Sequence, residues 1–168
     1  MAEAIAQFAQ FCHWLQNTDL ATGIRQSDLW FPVIEGTHIL ALSFSVGMIL
    51  MLDLRLLKVS FGRVAVARIM ESIMPWALPG FIIMFATGLL LFAAQAEKVS
   101  INRFFQAKLM LLAALGANAL LFQFKYYPAL SEWEQTGEIP KGASMMGMVS
   151  LVLWSAVITC GRLMAYEV

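Results

Sequence analysis

Histidine and cysteine are nearly absent from this chain of 168 residues, which has two of each. Two cysteines cannot build a disulfide framework or a thiolate metal cluster. Charge is scarce as well. Asp, Glu, Lys and Arg make up 13% of the residues, against roughly a quarter in soluble domains. Acidic and basic residues balance at 11 each, and no basic stripe with interleaved aromatics occurs, so nucleic acid is not an expected partner. No phosphate loop, nucleophile–base pairing or large polar domain points to catalysis on a soluble substrate. Met1–Gln16 lacks the basic n-region of a signal peptide.

What fills the chain is apolar: 60% of it is hydrophobic. Four uncharged runs stand out, Gly36–Leu52, Ser72–Ala96, Leu109–Phe124 and Gly142–Gly161, and the first carries only His38 as a titratable group. About 20 helical residues cross a hydrocarbon core of about 30 Å. In lipid every backbone polar group needs an internal partner, and these runs are too long for barrel strands. The expectation is an all-α, four-helix transmembrane bundle forming one domain, with spans at about 29–57, 73–96, 104–127 and 143–164. Residues 1–26 read as an amphipathic interfacial helix and a linker. Ile5, Phe8, Cys12 and Leu15 share its apolar face, and Asn17-Thr18-Asp19 ends it. Ser27 or Asp28 caps the first span. Pro75 and Pro79 open the second, 97–102 is a turn, and 128–144 is a polar connection containing Glu132, Glu134 and Glu138.

Arg55, Lys58, Arg63, Arg68, Lys125 and Lys141 lie on the side of the first and third connections. Arg25, Lys98, Arg103 and Arg162 lie on the other, with Lys108 deeper. This bias predicts both termini outside, in the periplasm if the source is bacterial. Cys12 and Cys160 then share the outer side, and either a disulfide between them or two buried free thiols fits.

Ionisable groups at membrane depth cost about 3 kcal/mol or more on insertion scales, so they face the bundle interior and carry function by default. Glu35 and His38 share a helix face. Ser45 and Asp53 fall within about 80° of the same line, which makes a polar seam along the first span. Lys108, Asn118 and Lys125 form a second seam on the third span, and Lys108 lies at the depth of Glu35 and His38. A Glu35–His38–Lys108 cluster is therefore expected in the outer half. Plainer roles compete with it. Glu35 and Lys108 could snorkel or merely fix helix register, Asp53 and Arg55 could pair at a helix end, and Asn118 could join helices beside Ala113, Gly116 and Ala117.

Three chemistries suit these residues. Glu35-x-x-His38 has the spacing at which a carboxylate and an imidazole bind one metal ion, although a single copy needs further ligands. Haem b needs axial ligands, for which His13 and His38 are the only imidazoles and Met48 and Met51 follow on the same span. The third is proton or ion passage along the Glu35–Asp53 seam, with His38 titrating near neutrality.

Trp30-Phe-Pro-Val-Ile-Glu-Gly-Thr-His38, Asp53-Leu-Arg-Leu-Leu57, Pro75-Trp76 with Gly80-Phe81, Thr87-Gly-Leu-Leu-Leu-Phe92 and Phe105 with Lys108 and Asn118 resemble one family. It is a group of small bacterial four-helix membrane proteins known as a domain of unknown function. The resemblance runs from Trp14 to Asn118 and fades beyond it. It implies a bacterial inner-membrane location and no particular activity. It also implies that Glu35, His38, Asp53, Arg55, Thr87, Gly88, Lys108 and Asn118 belong to the family pattern. His13 does not belong to it, which weakens a bis-histidine haem, and some relatives carry His where this chain has Gln123.

The leading reading is a small membrane subunit, more plausibly without enzymatic activity of its own, holding a Glu35–His38–Lys108 site for a cofactor or a proton-coupled redox partner. It is embedded in the lipid bilayer as a homo-oligomer or part of a membrane complex. A homo-oligomeric channel or transporter and a scaffold without chemistry are the alternatives.

Overall fold

Every regular element among the described residues is helical. The computed structural model describes residues 2–136 and 138–167, without the side chains of Ala2, Ala4, Ile5, Glu134 and Glu167. The expected apolar position Ile5 and the acidic Glu134 thus lie outside the described side chains. The helices are α1 (Ala2–Gln16), α2 (Asp19–Gln26), α3 (Trp30–Leu56), α4 (Val66–Ala94), α5 (Ala96–Ile101), α6 (Arg103–Lys125), α7 (Leu130–Gln135) and α8 (Lys141–Glu167). Four of them, α3, α4, α6 and α8, are long and apolar enough to cross a membrane.

Helix α3 packs along α4, α6 packs along α8, and α3 meets α8 to join the two pairs. Phe81 of α4 stacks on Trp154 of α8, with ring centres 5.8 Å apart. Phe92 of α4 stacks on Phe105 of α6 at 5.2 Å. Met84, Leu115, Trp154 and Val157 form the mid-bundle core. A second core, including Leu52, Leu56, Val66, Ile73, Phe122 and Trp133, fills the end that bears the two longer loops. Helices α1, α2 and α5 cover the opposite end.

That covered end is tied by polar contacts. Glu97 at the start of α5 accepts from Gln16 Nε2 at 3.2 Å and pairs with His13, while its backbone N–H donates to Gln16 Oε1 at 3.0 Å. Arg25 Nη1 donates to the carbonyls of Gln16 and Ala94. Cys12 faces the bundle and is buried, whereas Phe8, Phe11 and Trp14 are exposed on α1, Phe8 despite sharing the Cys12 side of the helix. An apolar outer face of this kind lies naturally at a bilayer interface. Both cysteines are free, so no disulfide fastens α1.

Several local expectations need correction. Helix α4 begins at Val66, ahead of the two prolines, which sit inside it. Val66, Ile69, Met70, Ile73, Ala77, Gly80 and Met84 are buried at helical spacing, while Pro75 and Pro79 lie on the exposed face. A proline's cost is a missing N–H and a clash with the carbonyl four residues back. Both occur here on the surface, away from the packed stripe, and burial of that stripe carries the helix through. Arg68 and Glu71 are accordingly helical. The expected linker, turn and polar connection contain α2, α5 and α7.

Caps fix the other ends. Ser27 Oγ accepts from the N–H groups of Leu29 and Trp30, and Asn102 Oδ1 accepts from those of Phe104 and Phe105. Helix α3 stops in a Schellman turn, in which Val59 N–H reaches Leu54 O at 3.0 Å and Lys58 N–H reaches Arg55 O at 3.1 Å. Lys58 takes the left-handed position, φ 59°, where glycine is usual.

Candidate functional site

His38 projects from α3 onto the backbone of α4. Its Nδ1 lies 2.9 Å from the carbonyl oxygen of Met84 and 3.1 Å from Thr87 Oγ1. A carbonyl can only accept. The Thr87 hydroxyl is itself placed to donate to the carbonyls of Ile83, at 2.7 Å, and Met84, at 3.0 Å. Nδ1 must therefore carry the proton, which leaves Nε2 with a free lone pair in the neutral ring. The approach is close because position 88 is glycine. A Cβ there would stand 3.1 Å from His38 Cε1 and 3.5 Å from Nδ1, so the ring occupies the space of a missing methyl group.

The two charged residues expected beside His38 are near it but not joined to each other. The charges of both Lys108 and Glu35 act on the imidazole. Glu35 is exposed on the surface of α3, half-buried Lys108 faces α8, and no ion pair connects them. A Cβ on Gly161 would lie 3.7 Å from Lys108 Nζ. Lys108 thus serves the α6–α8 contact as well as the surroundings of His38. Asn118 faces α8 too, its Nδ2 donating to Met146 O at 3.1 Å. This is the helix-joining role that small neighbours favour.

Further along α3, the seam turns inward. Ser45 is 0% exposed and Asp53 is 4% exposed. Ser45 is so close to Gly80 of α4 that a Cβ at 80 would collide with its Oγ. Asp53 does not pair with Arg55, whose Nε donates instead to Val64 O at 2.6 Å and closes the following loop. Ser150 of α8 stands beside the Asp53 carboxyl. Among the described residues, two buried side-chain atoms have no hydrogen-bond partner, Ser45 Oγ and Asp53 Oδ2. Both belong to the seam.

The other imidazole, His13, pairs with Glu97 at the covered end, where Asn17 Nδ2 donates to the His13 carbonyl. It is not placed beside His38. No group of three or more His, Cys, Asp or Glu side chains able to hold a metal ion converges among the described residues. Among the described residues, Glu35 and His38 therefore have no third side-chain ligand of these types.

The sequence pattern alone does not single out Ser150, Gly80, Gly147 or the Met84 carbonyl. Gly147 and Ser150 are three residues apart and so share a face of α8. A Cβ at 147 would meet Asp53 O and Leu56 Cβ, each at 3.2 Å, so this face lets α8 approach the end of α3. A small residue followed three positions later by a hydroxyl was the available signal. A backbone carbonyl carries none.

No curated protein and no solved structure matches this chain. The model of one family, described as a family of unknown function (DUF6644), matches residues 11–167, running through α8 to the end of the described chain. The span takes in both halves of the seam and the helix that packs against each. The chain belongs to that family of unknown function.

Proposed function

We propose that this protein is a small proton-coupled subunit of a bacterial inner membrane, with His38 as its proton-binding group. One observation carries the reading: Nδ1 of His38 is committed to the Met84 carbonyl, so Nε2 is the atom that accepts. The ring is half-buried, between an exposed carboxylate and a half-buried ammonium. Proton-relay side chains occupy such places in membrane proteins. The seam continues through Ser45 to Asp53, whose unpartnered oxygens supply further polar stations along α3.

The covered end faces the periplasm in this reading, and the loop end, with Arg55, Lys58, Arg63 and Lys141, faces the cytoplasm. The working form is a homo-oligomer or one subunit of a larger membrane complex. Only 6% of the apolar stretch of α6 is buried within the chain, against 33% of that of α4, and this leaves α6 a face for lipid or a neighbouring subunit.

A second reading rests on the same hydrogen bond. Metal-bound imidazoles usually donate their other N–H to a carbonyl or carboxylate, so Nε2 is also suitably held to ligate the iron of haem b. His13 supplies no partner ligand, and a second axial group would come from another subunit or from a non-histidine donor.

Proton flux into liposomes and the visible spectrum of the purified protein test both readings together. Flux that falls at least tenfold in His38→Ala supports the proton-binding role, and unchanged flux refutes it. A Soret band that disappears in His38→Ala selects the haem reading.

A further inference from the structure

A groove of about 140 Å³ runs between α3 and α8, lined by Val46, Leu50, Asp53, Leu151, Trp154, Ser155 and Ile158. Leu50, Ser155 and Ile158 are exposed on its rim, within the uncharged runs of two helices long enough to span a bilayer. Its mouth therefore opens to lipid, and its contents must arrive by lateral diffusion. Apart from Asp53 and Ser155, the walls are aliphatic side chains and the Trp154 indole, which stacking on Phe81 holds in place. A cavity of roughly 150 Å³ with apolar walls holds one benzene ring, so this groove has room for one ring and no more.

Asp53 makes the groove chemically selective. It is 4% exposed, and its Oδ2 has no hydrogen-bond partner. Leaving a buried acceptor unpaired is expensive, and a ligand bearing a donor recovers that cost. The donor should be uncharged, because an ammonium entering from lipid pays its own desolvation. A hydroxyl on an aromatic ring meets both conditions. It reaches a carboxyl oxygen in either protonation state, since a neutral carboxyl exchanges the donor and acceptor roles. Ser155 Oγ already donates to Leu151 O at 2.8 Å and keeps a lone pair at the rim for a second hydroxyl.

We infer that the α3–α8 groove binds the ring of a lipid-soluble phenol, hydroquinones included, with the ring hydroxyl on the Asp53 carboxyl. The site is separate from His38 and does not depend on the role assigned to it.

Equilibrium binding to the intact protein in detergent tests the assignment with three probes of equal tail length: a decyl hydroquinone, 4-decylphenol and decylbenzene. The two hydroxylated probes should bind at least tenfold more tightly than decylbenzene. In Asp53→Leu, close in size but without a donor or an acceptor, the discrimination should fall to within about twofold. Leu50→Trp, a change at an exposed rim position, should weaken all three probes at least tenfold without altering the fold. Equal binding of phenol and decylbenzene by the unaltered protein would reduce the groove to an apolar slot filled by acyl chains. Discrimination that survives in Asp53→Leu, or binding untouched by Leu50→Trp, would place the phenol elsewhere and overturn the assignment.

Discussion

The two halves of α3 handle their polar residues in opposite ways. Near the covered end, His38 is half-open, and its Nδ1 donor is met by the backbone of α4. Towards the loop end, Ser45 and Asp53 are sealed in, and each keeps an oxygen that nothing satisfies. Protein interiors normally pair what they bury. On one helix, burial and satisfaction have come apart, and the less accessible half is the less satisfied. Structural glue looks different: Asn118 is part-buried and bonded to Met146 O. The inner seam thus differs from ordinary helix-joining polar residues in this same protein.

The comparison can be broken most forcefully at the α3–α4 crossing. Gly80→Val drives a branched side chain into Ser45 Oγ, and overpacking of this kind costs about 3 kcal/mol. Denaturant unfolding in detergent should show that loss. Gly80→Ala should cost about 2 kcal/mol alone. In a Ser45→Ala background the colliding atom is gone and the nearest Ser45 atom left is Cβ at 3.5 Å, so most of that cost should vanish. A double-mutant cycle without coupling would contradict the described crossing.

The next pair of changes should move stability in opposite directions. Ser45→Ala removes an unpaired buried hydroxyl and should raise stability by about 1 kcal/mol. His38→Ala removes a satisfied donor and should lower it by about 1 kcal/mol, in the range measured for hydrogen bonds between membrane helices. Shifts of the same sign would end the contrast between the halves. Gly88→Ala should have the smallest thermodynamic effect, under about 1 kcal/mol, because a ring tip can shift by a few tenths of an ångström. Its readout is ¹⁵N NMR of the imidazole, where Nδ1 should lose its uniform protonation in the neutral form.

The helical class and the four long apolar helices were legible because membrane-length runs state them in composition and length alone. The start of α4 was equally present in the spacing of Val66, Ile69, Met70, Ile73 and Ala77. Two prolines outweighed that periodicity, because their cost depends on which face they occupy, and the face is a tertiary fact. The placing of His38, Ser45 and Asp53 on one line came from helical geometry. Their partners did not. Lys108 shares a depth with Glu35, yet depth fixes only one coordinate, and rotation of α6 turns the ammonium towards α8. His13 could be assigned to the covered end but not to Glu97, since that contact needs the fold of the α4–α6 connection.

Gly88 bears on how robust His38 is to its surroundings. The forces that keep the proton on Nδ1 are a neutral carbonyl, a neutral hydroxyl and the room left by an absent methyl group. None of these carries a net charge, so mobile ions have nothing to screen. Ionic strength and the charges of Glu35 and Lys108 can change how readily the ring gains a second proton. They do not change which nitrogen receives it. Which nitrogen of His38 stays open to a proton is therefore set by uncharged groups, and a change in salt does not move it.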